Sequence, residues 1–220
     1  MKINLHTHHY ALLPDTTEVV NQYPEAFNPA IPYYSIGIHP WYIDEDKIKE
    51  RLLLMDIQLS GKGALAIGEC GLDKRIETGL DLQIEVYKQQ VLLAEKHKKP
   101  IILHCVAAYQ EIVELKKKWN ISVPMIIHGF SKNRQTAEML ISNGFYISLG
   151  KYLMRNPQME EVLKNIPPDR LFLETDSMEE SIATVYKKAT DILGRNIEQE
   201  IEHNFNRVFN RDCEFSNEHV

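Results

Sequence analysis

The sequence predicts an α/β fold, a small (β/α)8 TIM barrel with shortened first and last connections. Short, wholly apolar runs recur along the chain, and amphipathic stretches separate them. Side chains able to hold a metal stand where the runs end. Runs of this kind suit strands buried on both faces of a parallel sheet, and helices between them make βαβ units. The 220 residues lie close to the ~200-residue lower size of such a barrel, so residues 1–220 are expected to form one domain.

Eight strands are expected, at residues 2–5, 17–21, 33–38, 64–67, 101–103, 123–127, 145–148 and 171–173. The second is the weakest signal. Helical patterns fill residues 44–59, 81–98, 107–119, 133–143, 157–165, 184–193 and 197–209. The 81–98 pattern ends in a Lys-rich turn before Pro100, which complements the helix dipole. Gly144 falls where a helix is expected to end in a left-handed residue. The stretch from Tyr10 to Pro32 is too short for a full helix, so the first connection reads as a loop.

Composition narrows the function classes. A net charge of −6 opposes a general nucleic-acid coat, although metals and a few cations can still bind phosphate locally. No apolar run approaches the ~18 residues that span a bilayer, and the N-terminus turns polar too soon for a signal peptide. Cys70, Cys105 and Cys213 are odd in number and lack CxxC spacing, which argues against a disulfide framework. A cytoplasmic, membrane-free protein is expected. The sequence carries no signal for an oligomeric state.

The metal-capable residues are His6, His8, Glu69, His104, His128 and Asp176. His6 and His8 end the first run and, two apart in a strand, share a side. Glu69 follows the fourth run, His104 the fifth, His128 the sixth and Asp176 the eighth. A single histidine after an apolar run is ordinarily a core or surface residue. Six such groups at strand ends point to one cluster, because barrel strands converge at their C-terminal ends. Four imidazoles with two carboxylates suit Zn²⁺, Mn²⁺ or Fe²⁺, and a carboxylate-bridged pair also takes Mg²⁺. Strand alternation turns His9, Cys70 and Cys105 away from the cluster, and His97, His203 and His219 read as surface groups. Trp41 and Tyr42 are able either to stack a base or to pack their loop over the barrel.

In this order, the motifs resemble the TatD family of metal-dependent hydrolases, which includes deoxyribonucleases. The resemblance runs through Leu5-His6-Thr7-His8, Gly37-Ile38-His39-Pro40-Trp41, Ile67-Gly68-Glu69-Cys70-Gly71-Leu72-Asp73, residues 100–104, His128-Gly129-Phe130-Ser131, Leu173-Glu174-Thr175-Asp176 and Asn204-Phe205-Asn206-Arg207-Val208-Phe209. It implies two divalent ions (Mg, Mn or Zn). His6, His8 and Asp176 would hold one, His104 and His128 the other, and Glu69 would bridge them. Asp176 would also orient or deprotonate the attacking water, and His39 would line the site and touch substrate. The implied reaction is phosphodiester hydrolysis on DNA or a small phosphoester.

Three positions depart from the family pattern. Val106 stands where an Arg is frequent, Lys74 and Arg75 replace an aromatic pair, and Ser177-Met178-Glu179-Glu180 replaces a Pro-aromatic segment. Lys74, Arg75 or Lys151 could replace the missing charge, or each could be a solvated loop cation. The departures keep open a barrel that hydrolyses a small amide, lactone or phosphate ester. They also keep open a metal-stabilised binding protein without turnover.

Overall fold

The computed structural model describes residues 1–209, so Cys213 and His219 lie outside the described residues. Eight parallel strands form one sheet in sequential order. They are β1 (Lys2–Thr7), β2 (Thr16–Gln22), β3 (Tyr34–Ile36), β4 (Ala64–Asp73), β5 (Ile101–Val106), β6 (Met125–Ile127), β7 (Phe145–Leu149) and β8 (Leu171–Leu173). All eight expected runs are strands. β4 and β5 outlast their apolar runs, so Glu69 and His104 lie inside strands and not beyond their ends.

The helices are α1 (Ile48–Gln58), α2 (Leu80–His97), α3 (Tyr109–Lys118), α4 (Arg134–Ser142), α5 (Lys151–Arg155), α6 (Gln158–Asn165), α7 (Ile182–Leu193) and α8 (Glu198–Phe209). The seven expected helices are all present. The eighth, α5, is only five residues long, too short for a periodic pattern to announce it. Local chemistry sets several boundaries. Asn133 and Ser181 accept backbone N–H bonds that start α4 and α7. Gly144, at φ +80°, turns the chain out of α4.

No α-helix separates β1 from β2 or β2 from β3. The last helix fills the gap: α8 packs on β1 and β8. Asn204 Nδ2 donates to the carbonyls of Pro168 (2.7 Å) and Leu171 (3.0 Å) and so anchors α8 at the start of β8. Phe205 stacks on Phe209 at 4.5 Å, over the edge of Phe172. Inside, the aliphatic side chains of Ile3, Leu5, Ile36, Ile67, Leu103 and Leu173 are wholly buried. Each such burial contributes ~1.5–3 kcal/mol.

Closure of the barrel depends on the seam between β8 and β1. β8 ends at Leu173, but the extended chain beyond it reaches β1. The Asp176 N–H donates to the His6 carbonyl (2.9 Å), and the His8 N–H donates to the Asp176 carbonyl (3.1 Å). Deeper in the seam, side chains stand in for a ladder. The Thr175 N–H donates to Asn4 Oδ1, and Asn4 Nδ2 donates to Thr175 Oγ1, both at 2.9 Å. Tyr186 Oη accepts from the Ile3 N–H (3.0 Å) and donates to the Ile3 carbonyl (3.1 Å). Among the described residues no helix is long and apolar enough to cross a membrane.

Tyr186 is buried, so its hydroxyl is the partner that the Ile3 backbone would otherwise lack. Tyr186→Phe is expected to cost ~1–3 kcal/mol, the penalty for stranding buried polar groups. Urea unfolding monitored by circular dichroism measures it.

Candidate active site

Each of the six metal-capable groups reaches the barrel mouth by a different local device. His6 lies within β1 and His8 just past it, on the same side. His128 directly follows β6. Asp176 has a left-handed backbone, φ 54°, a conformation that Asp tolerates better than most residues. That turn lets its N–H and carbonyl both bond β1 while its carboxylate faces His6 and His8.

Glu69 sits where the β4–β5 register shifts between Ile67 and Cys70, a bulge that re-aims its side chain. Its N–H donates to Asn21 Oδ1 at 2.6 Å. Gly71 makes this close pairing possible. Its φ is +136°, and a Cβ there would lie 2.1 Å from the His104 carbonyl oxygen.

The two oxygens of Glu69 face two sets of imidazoles. Oε1 lies 2.8 Å from His104 Nδ1, 2.7 Å from His128 Nε2 and 3.0 Å from His39 Nε2. Oε2 lies 3.4 Å from His6 Nε2 and 3.6 Å from His8 Nε2. Asp176 Oδ1 completes the second set, 3.8 Å from His6 and 3.4 Å from His8. Three groups of donors are close enough to share an ion: His6, His8 and Asp176; His6, Glu69 and His128; His39, Glu69 and His104. Both ring nitrogens of His6 are buried without a hydrogen-bond partner, which suits an imidazole that ligates a cation. The donor set therefore fits divalent metal.

Charges in the cluster shift one another. Hydrogen bonds to Asp176 and then Glu69 push His8 up to about 9, against the effect of burial. Burial opposes ionisation of Glu69, but the charge of His128 and the hydrogen bonds of His128 and His39 hold it well below the usual carboxylate range. Burial likewise opposes ionisation of Asp176, and the His8 hydrogen bond with the charges of His128 and His6 lowers it nonetheless. Burial dominates for His39, which stays neutral at pH 7. It also drives Cys70 upward and Cys105 to about 12, so both remain thiols outside the donor groups.

His39 is buried, with one nitrogen on Glu69 and the other accepting the Trp41 N–H at 3.1 Å. His9 and His203 are exposed, and His97 pairs with Asp56 at 2.6 Å. The cavity over the cluster holds about 650 Å³. Val106 lines it, as do Arg75 and Lys151, whereas Lys74 pairs with Glu111. Trp41 and Tyr42 stand on the rim, each more than half exposed.

Sequence reasoning quoted Asp73 and Glu174 within motifs but gave no role to them, nor to Asn21 or Lys132. Asp73 lies four residues beyond Glu69 in the same strand, a spacing that places both on one face. Glu174 accepts the Gly129 N–H at 2.6 Å and lies 3.4 Å from His128 Nδ1. Lys132 joins Arg75 and Lys151 around the cavity, a grouping of two loops and the start of α5 that no local pattern reveals.

The uncharacterized metal-dependent hydrolase YabD of Bacillus subtilis (strain 168) is 36% identical over 149 residues, 66% of this chain and 58% of that protein. The 3'-5' ssDNA/RNA exonuclease TatD of Rahnella sp. (strain Y9602) is 32% identical over 161 residues, 68% of this chain and 59% of that protein. The chain thus spans less than two thirds of the length of these relatives. The crystal structure of YjjV, a TatD homologue of Escherichia coli K12, has the same fold. It gives a TM-score of 0.75 at 22% identity over 88% of this chain and 86% of that one. Residues 3–210 match the family described as TatD related DNase. Because that match takes in every strand of the barrel and all of α8, the chain belongs to the TatD-related DNase family.

Proposed function

We propose that the protein is a metal-dependent hydrolase that cleaves phosphodiester bonds in single-stranded nucleic acid, DNA first. The observation that carries this reading is the division of Glu69, one oxygen toward His104 and His128, the other toward His6 and His8. In this reading His6, His8 and Asp176 hold one divalent ion, His104 and His128 hold a second, and Glu69 spans both. The ions are Mg²⁺, Mn²⁺ or Zn²⁺. When bound they would acidify a water and offset charge on the phosphodiester.

The chain's own groups supply the rest. Asp176, ionised and partly open to the cavity, is placed to accept the proton of the attacking water. His39, neutral, holds Glu69 in place by a hydrogen bond and forms part of the cavity wall where substrate enters. Arg75, Lys132 and Lys151 offer charge to phosphates, in place of the Arg absent at Val106. The exposed faces of Trp41 and Tyr42 offer stacking surfaces, and unpaired bases stack on such faces regardless of sequence. The relative named as a ssDNA/RNA exonuclease supports the same substrate class. Free buried thiols at Cys70 and Cys105 suit a reducing compartment, and we place the activity in the cytoplasm.

Asp176→Asn is expected to lower kcat on a single-stranded oligonucleotide by ~10²–10⁴-fold, the range for loss of a general base. Glu69→Ala is expected to abolish activity together with tight metal binding. Metal-loaded wild-type protein that leaves both single-stranded DNA and simple phosphodiesters intact would refute the proposal. Lys132→Ala and Arg75→Ala are expected to raise KM with little change in kcat. Each should reduce the salt dependence of binding by ~0.7 in log–log slope, the value for one phosphate contact on a single strand.

The metal-free protein has its own pH signature. The folded pKa of His8 is about 9, above the ~6.5 of an unfolded chain. A raised pKa means the pairing stabilises fully below the unfolded value and is lost as pH rises through the folded one. The melting temperature of EDTA-treated protein is therefore expected to fall between pH ~6.5 and ~9. Saturating Mn²⁺ requires a neutral imidazole and should flatten that slope. Differential scanning calorimetry across the range reads both.

A further inference from the structure

Asp73 is buried, and no step proposed above uses it. Its backbone is pinned by Gln83, which accepts the Asp73 N–H (2.8 Å) and donates to its carbonyl (3.0 Å). Oδ1 accepts the Arg75 N–H at 2.8 Å. Oδ2 faces two rings at once, the Trp41 indole N–H at 2.7 Å and His104 Nε2 at 3.2 Å. Asp73 belongs to none of the three donor groups that could hold an ion. Burial opposes its charge, yet the bonds from Trp41, the Arg75 N–H and His104 keep it ionised.

His104 therefore sits between two carboxylates, Glu69 on Nδ1 and Asp73 on Nε2. A neutral ring has one proton to give, and the surroundings decide which takes it. His39 Nδ1 accepts the Trp41 N–H, so the His39 proton is on Nε2 and is donated to Glu69 Oε1. The same oxygen also faces His128 Nε2. Glu69 Oε1 thus faces two other imidazoles, whereas Asp73 Oδ2 accepts from Trp41 alone and is positioned to take the proton of His104.

We propose that Asp73 is a positioning residue that keeps the His104 proton on Nε2, leaving the Nδ1 electron pair toward Glu69 for a divalent ion, and ties that ring to Trp41 on the rim. A carboxylate behind a ligating imidazole orients the ring and raises its basicity. The shared Oδ2 gives the Trp41 loop and His104 a common anchor, so the rim and the metal position are held by one oxygen. The proposal rests on the reading of His104 as a metal ligand.

Two measurements test it. Nitrogen-15 NMR of EDTA-treated wild-type protein, at a pH where the ring is neutral, reads the His104 tautomer directly. The resonance is assigned by its loss in His104→Asn. Free Mn²⁺, followed by electron paramagnetic resonance, gives the metal Kd of wild type and of Asp73→Asn. The near-isosteric Asn still accepts a hydrogen bond but carries no charge. The expected results are an Nε2-protonated His104 in wild type, a shift toward Nδ1 in Asp73→Asn, and a Kd raised ~10–100-fold. The metal-free melting temperature of the variant should stay close to that of wild type. An Nδ1-protonated His104 in wild type overturns the inference, and this measurement needs no Asp73 variant to fold. A variant Kd within twofold of a wild type that does bind Mn²⁺ overturns the inference alone. Wild-type protein that takes up no Mn²⁺ overturns the functional reading and the inference with it.

Discussion

Eight parallel strands leave two edges, and the site depends on how those edges meet. β8 is three residues long and cannot form a full ladder with β1. The chain beyond it makes the join instead, through backbone bonds between Asp176 and the His6–His8 segment. These bonds close the barrel and bring three metal-capable side chains together. Asn4, Thr175 and Tyr186 complete the seam below with side-chain hydrogen bonds. An unpaired strand edge exposes backbone polar groups that need partners. Here the groups that satisfy the edge belong to the metal-capable residues or to their immediate neighbours.

Glu69 poses the second constraint. An isolated buried carboxylate costs several kcal/mol, and partners must offset it. Five imidazoles lie within 3.6 Å of its oxygens. They hold it ionised without metal, and divalent ions would do so more strongly. The bulge in β4 and the close approach at Gly71 exist at the same place. Backbone irregularity thus lies where a charged side chain must be aimed into the mouth of the barrel.

Behind the donors stands another layer of carboxylates, Asp73 at His104 and Glu174 at His128. Around them the rim departs from the usual family pattern while keeping its chemical character. Val106 removes a cation, and Arg75, Lys132 and Lys151 bring others in from two loops and the start of α5. A chain with a net charge of −6 therefore carries a local positive rim over this cluster of buried carboxylates and imidazoles. Under the proposed reading, that arrangement would attract phosphate at the site without a basic coat elsewhere.

The sequence by itself determined the fold class, because apolar runs of strand length alternate with helical periodicity and burial on both faces leaves few other solutions. It also determined the six metal-capable groups, since His6, His8, Glu69, His104, His128 and Asp176 all adjoin those runs. α5 was not legible, being shorter than two turns. The extra length of β4 was hidden because Gly68, Glu69 and Gly71 break the apolar pattern that marks a strand. The tertiary structure alone decided which groups face which oxygen of Glu69, that His39 is buried against that carboxylate, and that Lys132 joins the rim. It alone decided that Asp73 joins Trp41 to His104. These are contacts between residues tens of positions apart, made only when the barrel closes, and periodicity along a chain carries no record of them.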